Sequence, residues 1–181
     1  FEMKLNWNVD SSWTLFIDRD GVINERIFDG YVLNKEDFIF KDGVVEVSKS
    51  LFSKFKYVIV VTNQQCVGKG LIRMENLENI HAYMMKQLNQ YSAHIDLILV
   101  ATELKGAEPF KRKPSKTMGY MAQDTFRDID FTKSIMVGDT DSDIHFGKNL
   151  GMKTVLIRSE EITSSEPDLV VDSLLELNQL L

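Results

Sequence analysis

The chain has 181 residues, of which 44% are hydrophobic and 27% are charged, a composition typical of water-soluble globular proteins. This length predicts one domain over residues 1–181 with a hydrophobic core of its own. A net charge of −6 and the lack of an apolar run near ~20 residues argue against nucleic-acid and membrane partners. The single cysteine, Cys66, excludes an internal disulfide and favours a reducing cytoplasm.

Strand-like apolar runs alternate with amphipathic helix-like stretches along the chain. The predicted strands are 14–17, 57–61, 95–100, 134–137, 153–157 and 168–171. The predicted helices are 44–55, 77–91, 115–126, 143–150 and 173–181. This alternation predicts an α/β fold whose parallel sheet is covered on both faces. No insertion is long enough for a separate cap domain, since residues 24–40 allow only a flap, with a hairpin turn expected at Asp29-Gly30.

Two carboxylates and a glycine directly follow the first predicted strand. Thr14-Leu-Phe-Ile runs into Asp18, and Asp20 comes one residue later, just before Gly21. Asp18 should end the strand, and Asp20 should lie in a turn that the backbone freedom of the glycine permits. Because two carboxylates held this close repel each other, the pair needs a bound cation or a shared proton.

Polar residues also follow the next three predicted strands. Thr62 and Asn63 come after the second strand, Arg112-Lys113 lies in the loop after the third, and Asp139 follows the fourth. The carboxyl ends of parallel strands share one edge of a sheet, which is where ligands bind in such folds. We therefore expect these groups to join the aspartate pair at a single site.

This combination of residues suits phosphoryl transfer. The carboxylates of Asp18 and Asp139 are suitable ligands for Mg²⁺, a hard cation that prefers oxygen. Asp18 could attack phosphorus to form an aspartyl-phosphate, while Asp20, with a raised pKa, could serve as general acid and then as base. Thr62 and Lys113 could hold the phosphate oxygens.

The four groups, in order, resemble the motifs of the haloacid dehalogenase (HAD) phosphatases. They are Asp18-Arg-Asp20-Gly, Thr62-Asn63, Lys113-Pro114 and Gly138-Asp139-x-x-x-Asp143, within a similarity that covers about residues 13–172. The resemblance implies a three-layer HAD-like Rossmannoid fold, with Asp18 as nucleophile, Asp20 as acid/base and Asp139 as metal ligand. It also implies that Asp143 orients the metal's ligands or waters and that the backbone carbonyl of Asp20 completes the metal site.

Three motifs resemble those of the branch of histidinol phosphatases and heptose bisphosphate phosphatases: Asp18-Arg-Asp-Gly-Val-Ile-Asn24, Val61-Thr-Asn-Gln64 and Arg112-Lys113-Pro114. In that branch the arginine before the lysine of the third motif recognises substrate, which would be Arg112 here. The resemblance further implies that Asp29 and Tyr31 in the flap, and Asn63 and Gln64 after the second strand, face the sugar. It favours D-glycero-D-manno-heptose 1,7-bisphosphate as substrate, with loss of the 7-phosphate.

One departure from that branch concerns the loop 102–114. Many members carry a zinc-binding set of cysteines and a histidine just before the arginine, whereas residues 102–111 contain neither type. Structural zinc normally needs four such ligands, so we expect Mg²⁺ and no zinc. We also expect a small phosphorylated metabolite as the partner and a monomer or weak oligomer.

Several alternatives stay open at this point. Histidinol phosphate is the second substrate candidate, and a 3′-phosphorylated polynucleotide is a third that the acidic charge disfavours. The non-enzyme alternatives are a phospho-acceptor signalling domain and a silent HAD interaction domain, and the acid/base partner Asp20 argues against both. An EF-hand calcium loop at 139–150 is disfavoured because Ile144 and Leu150 replace its glycine and glutamate.

Overall fold

The computed structural model describes residues 5–108 and 110–181, so residues 1–4 of the predicted domain and residue 109 of the loop 102–114 lie outside it. The strands are β1 (Thr14–Ile17), β2 (Tyr57–Asn63), β3 (Leu97–Ala101), β4 (Ser134–Gly138), β5 (Lys153–Ile157) and β6 (Leu169–Val171). The α-helices are α1 (Val44–Phe52), α2 (Gln65–Gly68), α3 (Met74–Gln90), α4 (Thr117–Thr125), α5 (Asp141–Leu150) and α6 (Leu174–Leu180). Within the described ranges, no helix combines the length and apolar character needed to cross a bilayer.

The strands form one parallel sheet in the order β3-β2-β1-β4-β5-β6. β1 is central, since Ile17 pairs in register with Val60 of β2 and with Val137 of β4. The predicted α/β class with a parallel sheet is confirmed. Because the strands run in one direction, β1 delivers the residue that follows it, Asp18, to the middle of the carboxyl edge.

Alternate residues of β1 enter two different hydrophobic clusters on opposite faces of the sheet. Leu15 and Ile17 pack with residues of α1, α3 and α6, whereas Phe16 packs with residues of α4 and α5. The fold therefore has three layers, with helices on both faces of the sheet. Burial on both faces explains why Leu-Phe-Ile is a continuous apolar run rather than an alternating one.

Several element boundaries near the carboxyl edge differ from the prediction. β2 continues past the predicted Val61 to Asn63, because its last residues pair with β3. The short helix α2 forms where a loop was predicted. Helix α5 begins at Asp141 rather than at Asp143, because Thr140 and Asp143 form a capping box that satisfies the first backbone N–H groups.

The segment 24–40 links β1 to α1 and borders the functional edge of the sheet. Asn24 forms an isolated antiparallel bridge with Phe40, which closes the segment at its base. The expected hairpin at Asp29-Gly30 is wrong: the N–H of Gly30 donates to the carbonyl of Ile27 at 3.3 Å and forms a turn, but no strands flank it in the described chain. The segment instead contains one turn of 3-10 helix, Lys35–Asp37.

Candidate active site

A cavity of about 180 Å³ opens at the carboxyl edge of the sheet. The predicted site residues that line it come from five separate parts of the chain: Asp18, Asp20, Tyr31, Asn63, Gln64, Arg112, Lys113 and Asp143. Three other predicted residues lie outside this lining, namely Asp29, Thr62 and Asp139. The fold thus brings together most of the residues that the sequence singled out.

Three carboxylates form a buried cluster beneath the cavity. One oxygen from each of Asp18, Asp139 and Asp143 lies within 4.8 Å of the others. Burial, reinforced by Asp143, raises the pKa of Asp139 to about 6, with Arg26 acting in the opposite direction. Burial and the charges of Asp143 and Asp139 also raise the pKa of Asp18 well above its ordinary value, although Lys113 opposes the shift. Among the protein's own groups, negative charge is therefore in excess.

Lys113 is the buried cation of this cluster. Its Nζ donates to Asp18 Oδ1 at 2.8 Å, to Asp143 Oδ1 at 2.6 Å and to the carbonyl of Val61 at 2.7 Å. Burial alone would lower the pKa of Lys113, but the charges of Asp143 and Asp18 outweigh it and raise that pKa. Lys113 is therefore a fixed positive charge next to Asp18.

Asp143 links the cluster to the start of helix α5. Its Oδ2 accepts from the backbone N–H groups of Asp139 and Thr140, both at 3.1 Å, and from the Thr140 hydroxyl at 2.9 Å. A side chain at Gly138 could not be accommodated, because its Cβ would lie 2.1 Å from the Cβ of Asp143. The glycine before Asp139 is thus required for the close approach of these two segments.

The cluster fits a divalent cation. All three side chains offer carboxylate oxygens, the ligands that Mg²⁺ prefers. Asp139 Oδ1 is buried and has no hydrogen-bond partner among the described residues, so it is an acceptor that a cation could use. Gly21 has a φ of +85°, and a Cβ there would lie 2.0 Å from Asp139 Oδ2. The turn after β1 therefore needs glycine both for its backbone angles and to leave room for Asp139.

Asp20 is held apart from the cluster by three donors. It accepts from Arg19 Nη2 at 2.8 Å, from Asn24 Nδ2 at 2.9 Å and from Gln64 Nε2 at 2.7 Å. Burial raises the pKa of Asp20, but the charge of Arg19 and the hydrogen bonds from Asn24, Arg19 and Gln64 lower it overall. The raised pKa expected for Asp20 is therefore wrong for this arrangement, because the sequence interpretation gave no role to Arg19.

Arg19 is fully buried and connects Asp20 to helix α3. Its Nη1 lies 3.1 Å from Nε2 of His81, which is itself buried. Burial and the neighbouring Arg19 charge lower the pKa of His81 to about 3, so the neutral imidazole can accept this bond. No motif predicts this contact, because Arg19 and His81 are 62 residues apart in the sequence.

Residues 62–64, at the end of β2, make contacts inside the protein, and Asn63 and Gln64 also border the cavity. Gln64 Nε2 also donates to the hydroxyl oxygen of Thr62 at 2.8 Å, and Thr62 is fully buried. Asn63 Oδ1 accepts from the N–H of Lys113 at 2.9 Å, and its Nδ2 donates to the carbonyl of Lys113 at 3.2 Å. Asn63 thus fixes the backbone of Lys113, and the phosphate contact expected of Thr62 stays a prediction.

A second cavity of about 510 Å³ adjoins the first and includes Asp29 and Tyr31 of the segment 24–40. The Tyr31 hydroxyl accepts from Gln65 Nε2 at 2.9 Å. Lys69 Nζ lies 5.1 Å from the centroid of the Tyr31 ring, a cation–π distance. Arg26, Tyr31 and Gln65 border both cavities, so a ligand in the first could extend into the second.

Arg26 is a cavity residue that the sequence analysis missed. Its Nη1 donates to Asp139 Oδ2 at 3.2 Å and lies 3.6 Å from Glu161 Oε2. No motif marked it, because both partners are distant in sequence and the contact depends on how the segment 24–40 folds over the sheet. Glu161 in turn lies in the loop after β5, near Ser164 and Ser165, whose backbone N–H groups donate to Asp141.

Comparison with known proteins defines the class of this protein. A HAD-hydrolase-like family model matches residues 110–177. The D-glycero-alpha-D-manno-heptose-1,7-bisphosphate 7-phosphatase of Campylobacter jejuni is 35% identical over 147 residues, which cover 81% of this chain and 83% of the relative. The chain therefore belongs to the HAD-like phosphatases, which are phosphoric monoester hydrolases. Within them it belongs to the family that contains the heptose bisphosphate 7-phosphatases.

Two further relatives show that the similarity includes enzymes named for the alpha anomer and for the beta anomer of the heptose. The alpha-heptose-1,7-bisphosphate 7-phosphatase of Mycobacterium tuberculosis is 32% identical over 161 residues, covering 89% of this chain and 85% of the relative. The corresponding beta-heptose enzyme of Helicobacter pylori (strain 26695) is 30% identical over 150 residues, covering 82% and 85%.

A solved structure supports the fold assignment. The D,D-heptose 1,7-bisphosphate phosphatase of B. bronchiseptica, complexed with magnesium and phosphate, has a TM-score of 0.83 to this protein. The similarity covers 92% of this chain and 96% of that one, at 22% sequence identity. The predicted HAD-like fold is therefore confirmed.

Proposed function

We propose that this protein is a Mg²⁺-dependent phosphatase that removes the 7-phosphate of D-glycero-D-manno-heptose 1,7-bisphosphate. The observation that carries this proposal is the buried cluster of Asp18, Asp139 and Asp143 around Lys113, which opens into a cavity at the carboxyl edge. The names of the Campylobacter jejuni and Mycobacterium tuberculosis relatives support the choice of substrate.

Asp18 is the proposed nucleophile. Its carboxylate oxygen forms a bond to phosphorus while the bond between phosphorus and the sugar oxygen breaks, giving an aspartyl-phosphate. Lys113, which already donates to Asp18, counters the negative charge that gathers around the phosphoryl group. Attack by water on the phosphorus of this intermediate then releases phosphate and restores Asp18.

Asp20 is the proposed general acid and base. It gives a proton to the leaving sugar oxygen in the first step and takes one from the attacking water in the second. Its pKa is lowered by the charge of Arg19 and by hydrogen bonds from Asn24, Arg19 and Gln64. A dianionic phosphate bound beside Asp20 would act against these donors and raise that pKa, which would favour the protonated form when substrate is present.

The residues proposed to hold Mg²⁺ are Asp18 and Asp139, with Asp143 orienting its ligands or waters and the backbone carbonyl of Asp20 as a further oxygen. The bound cation would supply positive charge that neutralises phosphate oxygens and favours ionised carboxylates. This fits the raised pKa of Asp18 and Asp139, since each shift comes first from burial and then from the negative charge of Asp143.

The charges around the cavity favour a bisphosphate over histidinol phosphate. Arg26 and Arg112 both line the cavity in addition to Lys113. A second phosphate would be attracted by these guanidinium groups, whereas the ammonium group of histidinol phosphate would be repelled by them. Arg112 is the proposed specificity residue, because its Nη1 is buried without a hydrogen-bond partner among the described residues.

The segment 24–40 is the proposed flap over the sugar, taking the place of a separate cap in a single domain. Tyr31 and Gly30 line both cavities, so the segment could contact the sugar along its length. Asp29, which borders the outer cavity, could accept hydrogen bonds from sugar hydroxyls. Asn63 and Gln64 complete the proposed sugar-facing set.

Phosphate release from a panel of substrates tests this proposal. The panel contains both anomers of the heptose 1,7-bisphosphate, histidinol phosphate and a 3′-phosphorylated oligonucleotide, each with Mg²⁺ and with a chelator. We expect a heptose bisphosphate to give the highest kcat/KM and the chelator to abolish release. A higher kcat/KM for histidinol phosphate or the oligonucleotide would overturn the substrate assignment.

A further inference from the structure

The loop 102–114 presents its cations to the cavity through an unusual set of backbone contacts. Glu103 Oε1 accepts hydrogen bonds from the N–H of Lys111 at 2.7 Å and from the N–H of Arg112 at 2.5 Å. The next N–H, that of Lys113, donates to Asn63 Oδ1 at 2.9 Å. The backbone N–H groups of three consecutive residues thus donate to side chains, namely those of Asn63 in β2 and of Glu103 after β3. They do not pair with a neighbouring strand.

Glu103 does not itself border the cavity, whereas Arg112 does. No ion pair joins the Glu103 carboxylate to the Arg112 guanidinium in the described part of the chain. The carboxylate therefore binds the backbone of Arg112 and leaves its side-chain charge available for an anion.

The guanidinium of Arg112 has little else to fix its direction. Its buried Nη1 lacks a partner among the described residues, and only its backbone is held by the contacts above. The position of the side chain in the cavity therefore depends on where the backbone of residues 111–112 is held. A displacement of about 1 Å in a substrate-binding group is enough to lower activity substantially.

We propose that Glu103 is a positioning residue for substrate recognition, whose carboxylate anchors the backbone of residues 111–112 and so directs Arg112 into the active-site cavity. This inference rests on the proposed function for its substrate, and on the contacts of Glu103 alone for its structural part. It predicts that Glu103 acts through its ability to accept hydrogen bonds and not through its charge.

Amide hydrogen exchange measured by NMR tests the structural part on the full chain without substrate. In Glu103→Ala the amides of Lys111 and Arg112 should exchange at least about tenfold faster. The amide of Lys113, which donates to Asn63, should keep its wild-type rate. Glu103→Gln should retain protection, because its side-chain carbonyl can accept both bonds, and Glu108→Ala controls for loss of an exposed charge in the same loop.

Steady-state kinetics with the heptose bisphosphate test the functional part. Glu103→Ala should raise KM by about tenfold with little change in kcat, whereas Glu103→Gln should be close to wild type. In the Arg112→Ala background, Glu103→Ala should cause no further rise in KM, because the residue it positions is gone.

Three results would overturn the inference: unchanged exchange at Lys111 and Arg112 in Glu103→Ala, equal damage by Glu103→Gln, or a full additive effect on top of Arg112→Ala. If the wild-type enzyme releases no phosphate from the bisphosphate, the proposed function fails. The exchange rates still decide in that case whether Glu103 anchors the backbone, so the two failures are distinguishable.

Discussion

Lys113 and its carboxylate neighbours illustrate how the site depends on a balance of single charges. The lysine uses its three donors on Asp18, Asp143 and a backbone carbonyl, yet burial and the neighbouring carboxylates keep the pKa of Asp18 and of Asp139 raised. One ammonium group therefore does not compensate for the cluster. A divalent cation would supply the missing charge, which is the physical reason to expect Mg²⁺ dependence.

Asp18→Asn tests the nucleophile. We expect phosphate release to fall by on the order of 10³-fold or more, because an amide cannot attack phosphorus to give a stable intermediate. The protein should stay folded, since the amide oxygen can still accept the hydrogen bond from Lys113. Release rates and circular dichroism check both points. Asp141→Asn, at the same edge, is the matched control, and near-normal turnover of Asp18→Asn would contradict the mechanism.

Arg26→Ala tests the link between the segment 24–40 and the proposed metal site. Arg26 donates the only side-chain hydrogen bond to Asp139 among the described residues. Its loss should weaken Mg²⁺ binding by about tenfold or more, as expected when the partner of a metal-binding carboxylate is removed. Isothermal titration with Mg²⁺ measures this directly.

Arg158→Ala, which removes an exposed ion pair with Asp172, is the control. Unchanged or tighter binding would show that Arg26 does not support Asp139.

At the scale of elements, helix α2 sets the spacing between the end of β2 and the loop 102–114. A Cβ at Gly68 would lie 2.4 Å from the carbonyl oxygen of Thr102, which is backbone and cannot rotate away. Gly68→Ala should therefore lower the free energy of unfolding by about 1–3 kcal/mol. Urea denaturation checks this, with Lys69→Ala as the neighbouring control. Equal stability of the two variants would contradict the close contact.

The strands were predictable because each is an apolar run bounded by polar residues, and the parallel sheet then follows from their alternation with helices. The site residues Asp18, Lys113 and Asp143 were predictable because they directly follow strands or belong to motifs. Helix α2 was not, since its short length gives no helical period and its position depends on Thr102. Arg26 and Arg19 were missed for a related reason: their roles depend on partners that only the folded chain brings near.

The pKa of Asp20, the proposed acid/base residue, is a property that the sequence did not predict. Asp20 was expected to have a raised pKa because its role as general acid and base requires one. In the structure its side chain is directed to Arg19, Asn24 and Gln64, and these donors lower the pKa despite its burial. The pKa of a side chain depends on its burial and on its contacts, which a motif does not specify. The direction of the shift for Asp20 therefore could not be predicted from the spacing of the two aspartates.

At the scale of the whole molecule, the buried His81 makes stability depend on pH. Its pKa is about 3 in the folded protein, below the ordinary value of 6.5. The unfolded chain therefore binds a proton below about pH 6.5 while the folded one does not, so this contribution to stability is lost as the pH falls and is constant above that value. Between the two pKa values, the free energy of unfolding falls by about 1.4 kcal/mol for each unit by which the pH is lowered.

His81→Gln isolates this effect, because glutamine can still accept a hydrogen bond but does not titrate. Between pH 7 and pH 5 the free energy of unfolding of the wild type should fall by about 2 kcal/mol more than that of the variant. Urea denaturation at the two pH values measures the difference. His94→Gln, at an exposed histidine, is the control. Parallel pH profiles for wild type and His81→Gln would contradict the assignment.

The proposed reaction of the whole enzyme is the release of one particular phosphate from a sugar bisphosphate. Phosphorus NMR of the reaction with D-glycero-D-manno-heptose 1,7-bisphosphate and Mg²⁺ tests it most directly, with Asp18→Asn run in parallel. We expect the 7-phosphate signal to disappear as the signal of inorganic phosphate grows and the 1-phosphate signal to persist. The variant should produce neither change. Loss of the 1-phosphate, or an unchanged spectrum with the wild-type enzyme, would contradict it.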